Sequence, residues 1–172
     1  MCPVRLAAFL LIATLGPAAF AVPPPPAAFA GRHEASPEDR VAIEHLLDAY
    51  RAAVKQGDEA GFAALLLNDR VPFLTVEAAG LDKATAKDVD TRRYADFRHA
   101  VFGSGQHYEQ RFDNIRILQD GALAQVSLDF VTVAAGTDSG GYGWKTLELL
   151  KVAGGWRIAS EFYTAYGLPP AR

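Results

Sequence analysis

Residues Gly141 to Tyr163 read GYGWKTLELLKVAGGWRIASEFY. Two β-prone runs flank Gly154-Gly155, a pair that supplies the positive φ angles of a tight turn, so the stretch is a hairpin of two half-buried strands. Asp120-Gly121 marks a second hairpin upstream, and the strand after it alternates: Ala124, Val126, Leu128 and Phe130 face one way, Gln125, Ser127 and Asp129 the other. In the strand before it the apolar residues shift from even positions (Tyr108, Phe112) to odd ones (Ile115, Ile117). A one-residue slip reverses every side chain, so a β-bulge is predicted near Asp113-Asn114. From Gln106 onward the chain is therefore a meander of four long strands. Residues 136 to 143, GTDSGGYG, are expected to be a flexible hairpin loop, and Gly167 to Arg172 a tail.

The half that precedes the meander is helical. Ser36 can cap free N–H groups, Pro37 suits a first turn, and Glu38 and Asp39 favour the helix dipole. Ile43, Leu46, Leu47, Tyr50 and Val54 then recur at helical spacing until Gly57. Asp58 caps a second, shorter helix with Phe62, Leu65 and Leu66 facing inward, closed by Asn68-Asp69. Val71 to Val76 is β-prone, but Pro72 lacks a donor, which predicts an edge strand or a strand beginning. Glu77 to Asp90 is unperiodic and reads as a loop. Thr91 opens a third helix, with Tyr94, Phe97 and Val101 on one face, stopped by Gly103-Ser104-Gly105.

Ahead of these elements, Arg5 is followed by LAAFLLIATL, a Gly16-Pro17 break, and small residues ending in Ala19-Phe20-Ala21. This is the pattern of a secretory signal peptide over residues 1–21, with Ala28-Phe29-Ala30 as a second, weaker cleavage site. The apolar run is shorter than the ~20 residues of a membrane span, so no stable span is expected after cleavage. Residues 22–36, rich in Pro and Ala, read as an extended linker. The domain proper is expected over 37–166 and the tail over 167–172, in an exported protein, periplasmic or secreted. Cys2, the only cysteine, would leave with the leader, which removes disulfides, thiolate ligands and cysteine nucleophiles together. With 172 residues, half of them hydrophobic, one domain can bury a full core. Its 17 basic and 20 acidic residues are interspersed for a net charge of -3, which argues against nucleic acid as a partner.

Amphipathic helices followed by a bent antiparallel meander make an α+β domain, a curved sheet that wraps a helix around a cone-shaped pocket. Tyr50 followed by Gly57-Asp58, the Phe62-Leu65-Leu66 helix, the Asp120-Gly121 hairpin, and Leu147-x-Leu149-x-Lys151 before Gly155-Trp156-Arg157-Ile158 occur in an order that resembles the nuclear transport factor 2-like superfamily. That superfamily, with a cystatin-like roll, includes ketosteroid isomerases and SnoaL-like polyketide cyclases. The resemblance covers residues 37 to 165. It implies that Tyr50 matches the isomerases' oxyanion-donating tyrosine. Leu74 stands where their general-base aspartate would be, and a leucine accepts no proton. Ser160 and Phe162 replace histidines that many members carry after the final-strand Trp-x-Ile. Such sheets also pair across their outer face, which implies a homodimer.

Site candidates follow, each with its plainer reading. Tyr50 is a pocket donor or a core tyrosine with its hydroxyl at a pocket rim or on a backbone carbonyl. Glu148 shares a strand face with Trp144 and Thr146. If that face lines the cavity, burial raises its pKa and makes it a general acid or base; if not, it is a solvated strand residue. Asp129 has the same two readings. The ligand contacts expected are Tyr50, Trp144 and Glu148, and the catalytic candidates Tyr50, Glu148 and Asp129. His107, Glu109 and His99 sketch a metal site, but Arg111 and Asp113 continue the face as a charged, solvated surface, so no metal is expected. His33 and His45 read as surface. Gly140-Gly141-Tyr142-Gly143-Trp144-Lys145-Thr146 fails as a phosphate loop, because Trp144 takes a glycine position and the loop leads into a strand. No cofactor is implied. Three functions fit: a binder of a small apolar molecule; an isomerase, dehydratase or cyclase; and a non-catalytic homodimeric interaction module.

Overall fold

Ser36 Oγ accepts the backbone N–H of Asp39 at 3.1 Å and so starts α1 (Pro37–Gln56), while Gly57 ends it in the left-handed conformation at φ 69°. Asp58 Oδ1 then accepts from Gly61 N at 2.8 Å to cap the short α2 (Glu59–Ala63). The structure, a computed structural model, describes residues 24–27, 29–31, 33–76, 81 and 84–169. The expected leader over residues 1–21 lies outside them. No described helix is long and apolar enough to cross a membrane.

Six strands form one curved, unclosed sheet: β1 (Phe73–Thr75), β2 (Tyr108–Asp120), β3 (Leu123–Ala134), β4 (Gly140–Val152), β5 (Gly155–Tyr163) and β6 (Tyr166–Gly167). The order is β1-β5-β4-β3-β2, with β6 paired to β4. The four long strands are antiparallel neighbours in chain order, as the hairpin signals require. β1 runs parallel to β5 at the edge, where Pro72 costs no ladder bond. The pairing of β2 with β3 shifts register between Asp113 and Arg116, and Asn114 takes φ 52° there, so the parity change is a bulge at the expected place.

Several details differ from the sequence reading; α2, for one, ends at Ala63 rather than at Asn68-Asp69, and Leu66 bridges Ile158 instead. β4 begins at Gly140, so half of the expected loop 136–143 is strand. Its glycines have a steric cause: a Cβ on Gly143 would overlap the Thr164 carbonyl oxygen, and one on Gly141 would sit 2.9 Å from that of Tyr166. They admit the returning chain, in which Thr164 N donates to Trp144 O and Leu168 N to Gly140 O, so the start of the expected tail is β6. The end of the expected linker is also ordered, since His33 O accepts from Gln119 N at 2.8 Å and Glu34 bridges Leu118. Finally, α3 (Tyr94–Arg98) starts three residues late and runs into a π turn over His99–Gly103.

α1 places Ile43, Leu46, Leu47, Tyr50 and Val54 against the concave sheet face, which supplies Phe112, Val126, Leu128, Leu147, Leu149 and Ile158. Its N-terminal end is tied down by Asp39. Oδ1 accepts from Lys151 Nζ at 2.6 Å and Trp156 Nε1 at 3.0 Å, and Oδ2 from Gln119 Nε2 at 2.7 Å. These donors, Lys151 foremost, hold the Asp39 carboxyl down at about 2 against an ordinary 3.8. A depressed folded-state pKa gives stability that is complete above the ordinary value and is lost as pH falls through the folded one. Unfolding free energy is therefore expected to fall between pH 4 and pH 2, and Asp39→Asn to flatten that limb; an unchanged limb in the variant would assign it to other carboxylates.

Candidate ligand-binding site

Alternation in β4 turns Lys145, Leu147 and Leu149 to the concave face and Trp144, Thr146 and Glu148 to the convex one. Lys145 is consequently 2 % exposed, and directly beside it Glu161 of β5 is 0 % exposed. Their charges meet at 2.7 Å between Nζ and Oε1. Tyr50, reaching in from α1, joins both: its hydroxyl donates to Glu161 Oε1 at 3.0 Å and accepts from Lys145 Nζ at 2.6 Å. Burying an ion pair is costly unless further hydrogen bonds hold it, and the Tyr50 hydroxyl provides them. The ammonium also stands against aromatic faces, 4.3 Å from the Tyr50 centroid and 5.2 Å from those of Phe130 and Tyr163.

Burial dominates the titration of all three groups. It pulls the Lys145 ammonium below the ordinary lysine range, against the attraction of Glu161. The Glu161 carboxyl is pushed up by desolvation, opposed by Lys145. Tyr50 is raised well above the ordinary phenol value by burial and by the Glu161 charge. Glu161 Oε2, buried beside this cluster, has no partner among the described residues.

Lys145 is the one member of the trio that reaches open space. It lies in the wall of a cavity of about 460 Å3 bounded by Leu74, Phe97, Val101, Tyr108, Phe130 and Tyr163, among others. α1, β1, α3, the π turn and the inner faces of β2 to β5 supply most of the wall. Its polar members include Gln110 and Thr132, joined by a 2.9 Å bond from Gln110 Nε2 to Thr132 Oγ1. Gln110 Oε1 is buried without a partner among the described residues. Arg93 and Asp96, ion-paired, also border the cavity.

Of the residues expected at the site, Tyr50 is fully buried but sits behind Lys145, with its hydroxyl committed to Glu161, rather than in the cavity wall. Trp144 and Glu148 are on the opposite side of the sheet. Trp144 is 53 % exposed, and Glu148 accepts from Gln125 Nε2 at 3.1 Å. The condition for Glu148 as an acid or base, a place on the cavity face, is thus not met. Asp129 is exposed on the same outer face and accepts from Asn114 Nδ2 at 2.6 Å. Trp144 and Asp129 instead border a shallow outer hollow with Tyr142 and Tyr166. Leu74, in the isomerases' general-base position, does line the cavity. The charged face expected on β2 is solvated, with Glu109 paired to Lys55 and Arg111 to Asp113. Among the described residues, no three His, Cys, Asp or Glu side chains converge on a metal site.

Sequence reasoning missed Lys145 and Glu161. The signal for Lys145 was present, since Leu147 and Leu149 set the buried parity and Lys145 shares it. Glu161 was hidden by a second bulge. Leu149 pairs with Ile158 but Glu148 with Ser160, so Ala159 is the extra residue. Buried parity therefore moves from Trp156 and Ile158 to Glu161, where straight counting selects Ser160 and Phe162.

No protein-family model matches the chain, and no curated protein sequence does. Solved structures do match its fold. A protein provisionally named an aromatic ring hydroxylase, from Novosphingobium aromaticivorans, superposes with a TM-score of 0.59 at 19% identity over 78% of this chain and 96% of its own. A protein of unknown function with a cystatin-like fold, from Nostoc punctiforme, gives 0.58 at 11% over 77% and 95%. A provisional dehydratase of the nuclear transport factor 2-like family, from Streptomyces avermitilis, gives 0.55 at 14% over 75% and 97%. At these identities the likeness is one of fold. The helix-wrapped curved sheet of this chain is the nuclear transport factor 2-like, cystatin-like fold that its sequence resemblance implied.

Proposed function

We propose that the domain binds one small, largely apolar molecule bearing an oxygen function in its cone-shaped cavity. The observation that carries this reading is the open cavity of about 460 Å3 with an amine in an otherwise mainly apolar wall. Lys145 Nζ donates to Tyr50 and is ion-paired with Glu161. Gln110 Oε1 has no donor among the described residues. A ligand hydroxyl can donate to Gln110 Oε1 and accept from the Lys145 ammonium while the ligand body displaces water from aromatic surface, the usual division of labour in small-molecule sites. A cavity of this volume that the domain's own side chains leave unfilled favours binding over a domain that only pairs with its own copy.

Naphthalenemethanol, an apolar alcohol, is the test ligand. Calorimetric titration is expected to show saturable binding of one molecule per chain. Ala100→Trp, which places an indole on the cavity wall, is expected to weaken it at least tenfold, roughly 1.4 kcal/mol. Equal affinity in the variant would locate the site elsewhere.

A further inference from the structure

We propose that Lys145 forms a reversible imine with aldehydes or ketones carried on a small apolar body. The inference rests on the reading of the cavity as a small-molecule site and adds a covalent step to it. Lys145 is a primary amine, 2 % exposed, on the wall of an apolar cavity. An acceptor for its proton lies 2.7 Å away at Glu161 Oε1, and a hydroxyl that can relay protons lies 2.6 Å away at Tyr50. Those are the parts that imine formation needs: a nucleophilic nitrogen freed of its proton, an acid for the departing oxygen, and little competing water.

The step balances without any further reagent. The Lys145 ammonium passes one proton to Glu161, leaving a neutral amine and a carboxylic acid; the partnerless Oε2 can hold that proton. The nitrogen lone pair attacks the carbonyl carbon, and the C=O π pair moves to oxygen. One proton leaves the nitrogen for that oxygen through the Tyr50 hydroxyl, giving a neutral carbinolamine. Glu161 then returns its proton to the carbinolamine hydroxyl, the C–O bond breaks, and water leaves. A protonated imine remains, its positive charge again beside the Glu161 carboxylate. The net change is carbonyl plus ammonium to iminium plus water, with nothing oxidised or reduced. Burial, which disfavours both charged partners, favours the neutral amine and acid from which the attack begins.

The remaining cavity-wall groups do not compete for this role. Arg93 is ion-paired and does not deprotonate, and Gln110 and Thr132 carry no titratable proton. Lys55 and Lys151, by contrast, are paired with Glu109 and Asp39 near the surface and are respectively 63% and 45% exposed.

The test uses the full chain with naphthaldehyde and sodium cyanoborohydride at pH 7, digestion, and mass mapping of every lysine. Burial in the cavity wall favours the free amine of Lys145 at that pH. A reduced adduct is expected at Lys145 about tenfold faster than at Lys55 or Lys151, suppressed by excess naphthalenemethanol. Modification of Lys55 and Lys151 with Lys145 untouched would overturn the proposal. Naphthalenemethanol binding, measured in parallel, separates the two failures: binding without an adduct leaves the cavity reading standing and removes the imine, whereas neither binding nor adduct removes both.

Discussion

Lys145→Met is expected to destabilise the fold by about 3–5 kcal/mol in urea unfolding, because it strands the Glu161 carboxylate in the core. Glu161→Leu is expected to cost a similar amount by stranding the ammonium. The pair as such contributes far less than either figure, since desolvation offsets most of the attraction between buried charges. The double variant should therefore lose well below the sum of the two single losses. It leaves the Tyr50 hydroxyl without its two side-chain partners, a residual cost of about 1–3 kcal/mol. Adding Tyr50→Phe removes that remainder, so the triple variant is expected to approach the wild type. A loss below about 1 kcal/mol for each single variant, the value of an exposed pair, would show that water reaches these groups.

Phe62→Ala is the second large effect. Phe62 is 0 % exposed in α2, and its ring stands 4.7 Å from Tyr50, 5.1 Å from Phe97, 5.4 Å from Phe102 and 6.2 Å from Tyr94. It is the contact through which α1, α2, α3 and the π turn hold one another. Truncation is expected to cost about 3–5 kcal/mol through lost transfer energy and the void that remains. For a domain of this size that is a fall in Tm on the order of ten degrees, measurable by calorimetry. Because Phe97 and Val101 border the cavity, naphthalenemethanol affinity should fall as well. Phe62→Leu keeps most of the volume and is expected to cost about 1 kcal/mol with binding retained. Equal effects of Ala and Leu would mean that ring geometry, rather than filled volume, supports the cavity.

The fold was legible because its signals are local. The Ser36 and Gly57 caps, the Asp120-Gly121 and Gly154-Gly155 turns, and the bulge at Asn114 each follow from a few neighbouring residues. The shared wall of the site was not, for two physical reasons. Strand alternation shows that Trp144 and Lys145 face opposite ways, but which face is concave depends on where α1 packs, a long-range fact. The extra residue at Ala159 then reverses parity within one short strand, which moves Glu161 inward and defeats counting from Trp156. Tyr50 was identified as buried from helical periodicity, yet its partners come from β4 and β5, 95 and 111 residues later in the chain. The glycines of Gly140 to Gly143 read as loop because the cause of their small size, the returning chain at Thr164 and Tyr166, is equally distant in sequence.

In the proposed binding mode, ligand enters the concave cavity and meets Lys145. The most direct measurement is a map of amide and side-chain shifts in nuclear magnetic resonance spectra as naphthalenemethanol is added. Shifts concentrated at Lys145, Phe130, Tyr163, Phe97 and Gln110, with Trp144, Tyr142 and Asp129 unmoved, are the predicted result. Shifts confined to Trp144, Tyr142 and Tyr166 on the convex face, with Lys145 silent, would contradict it.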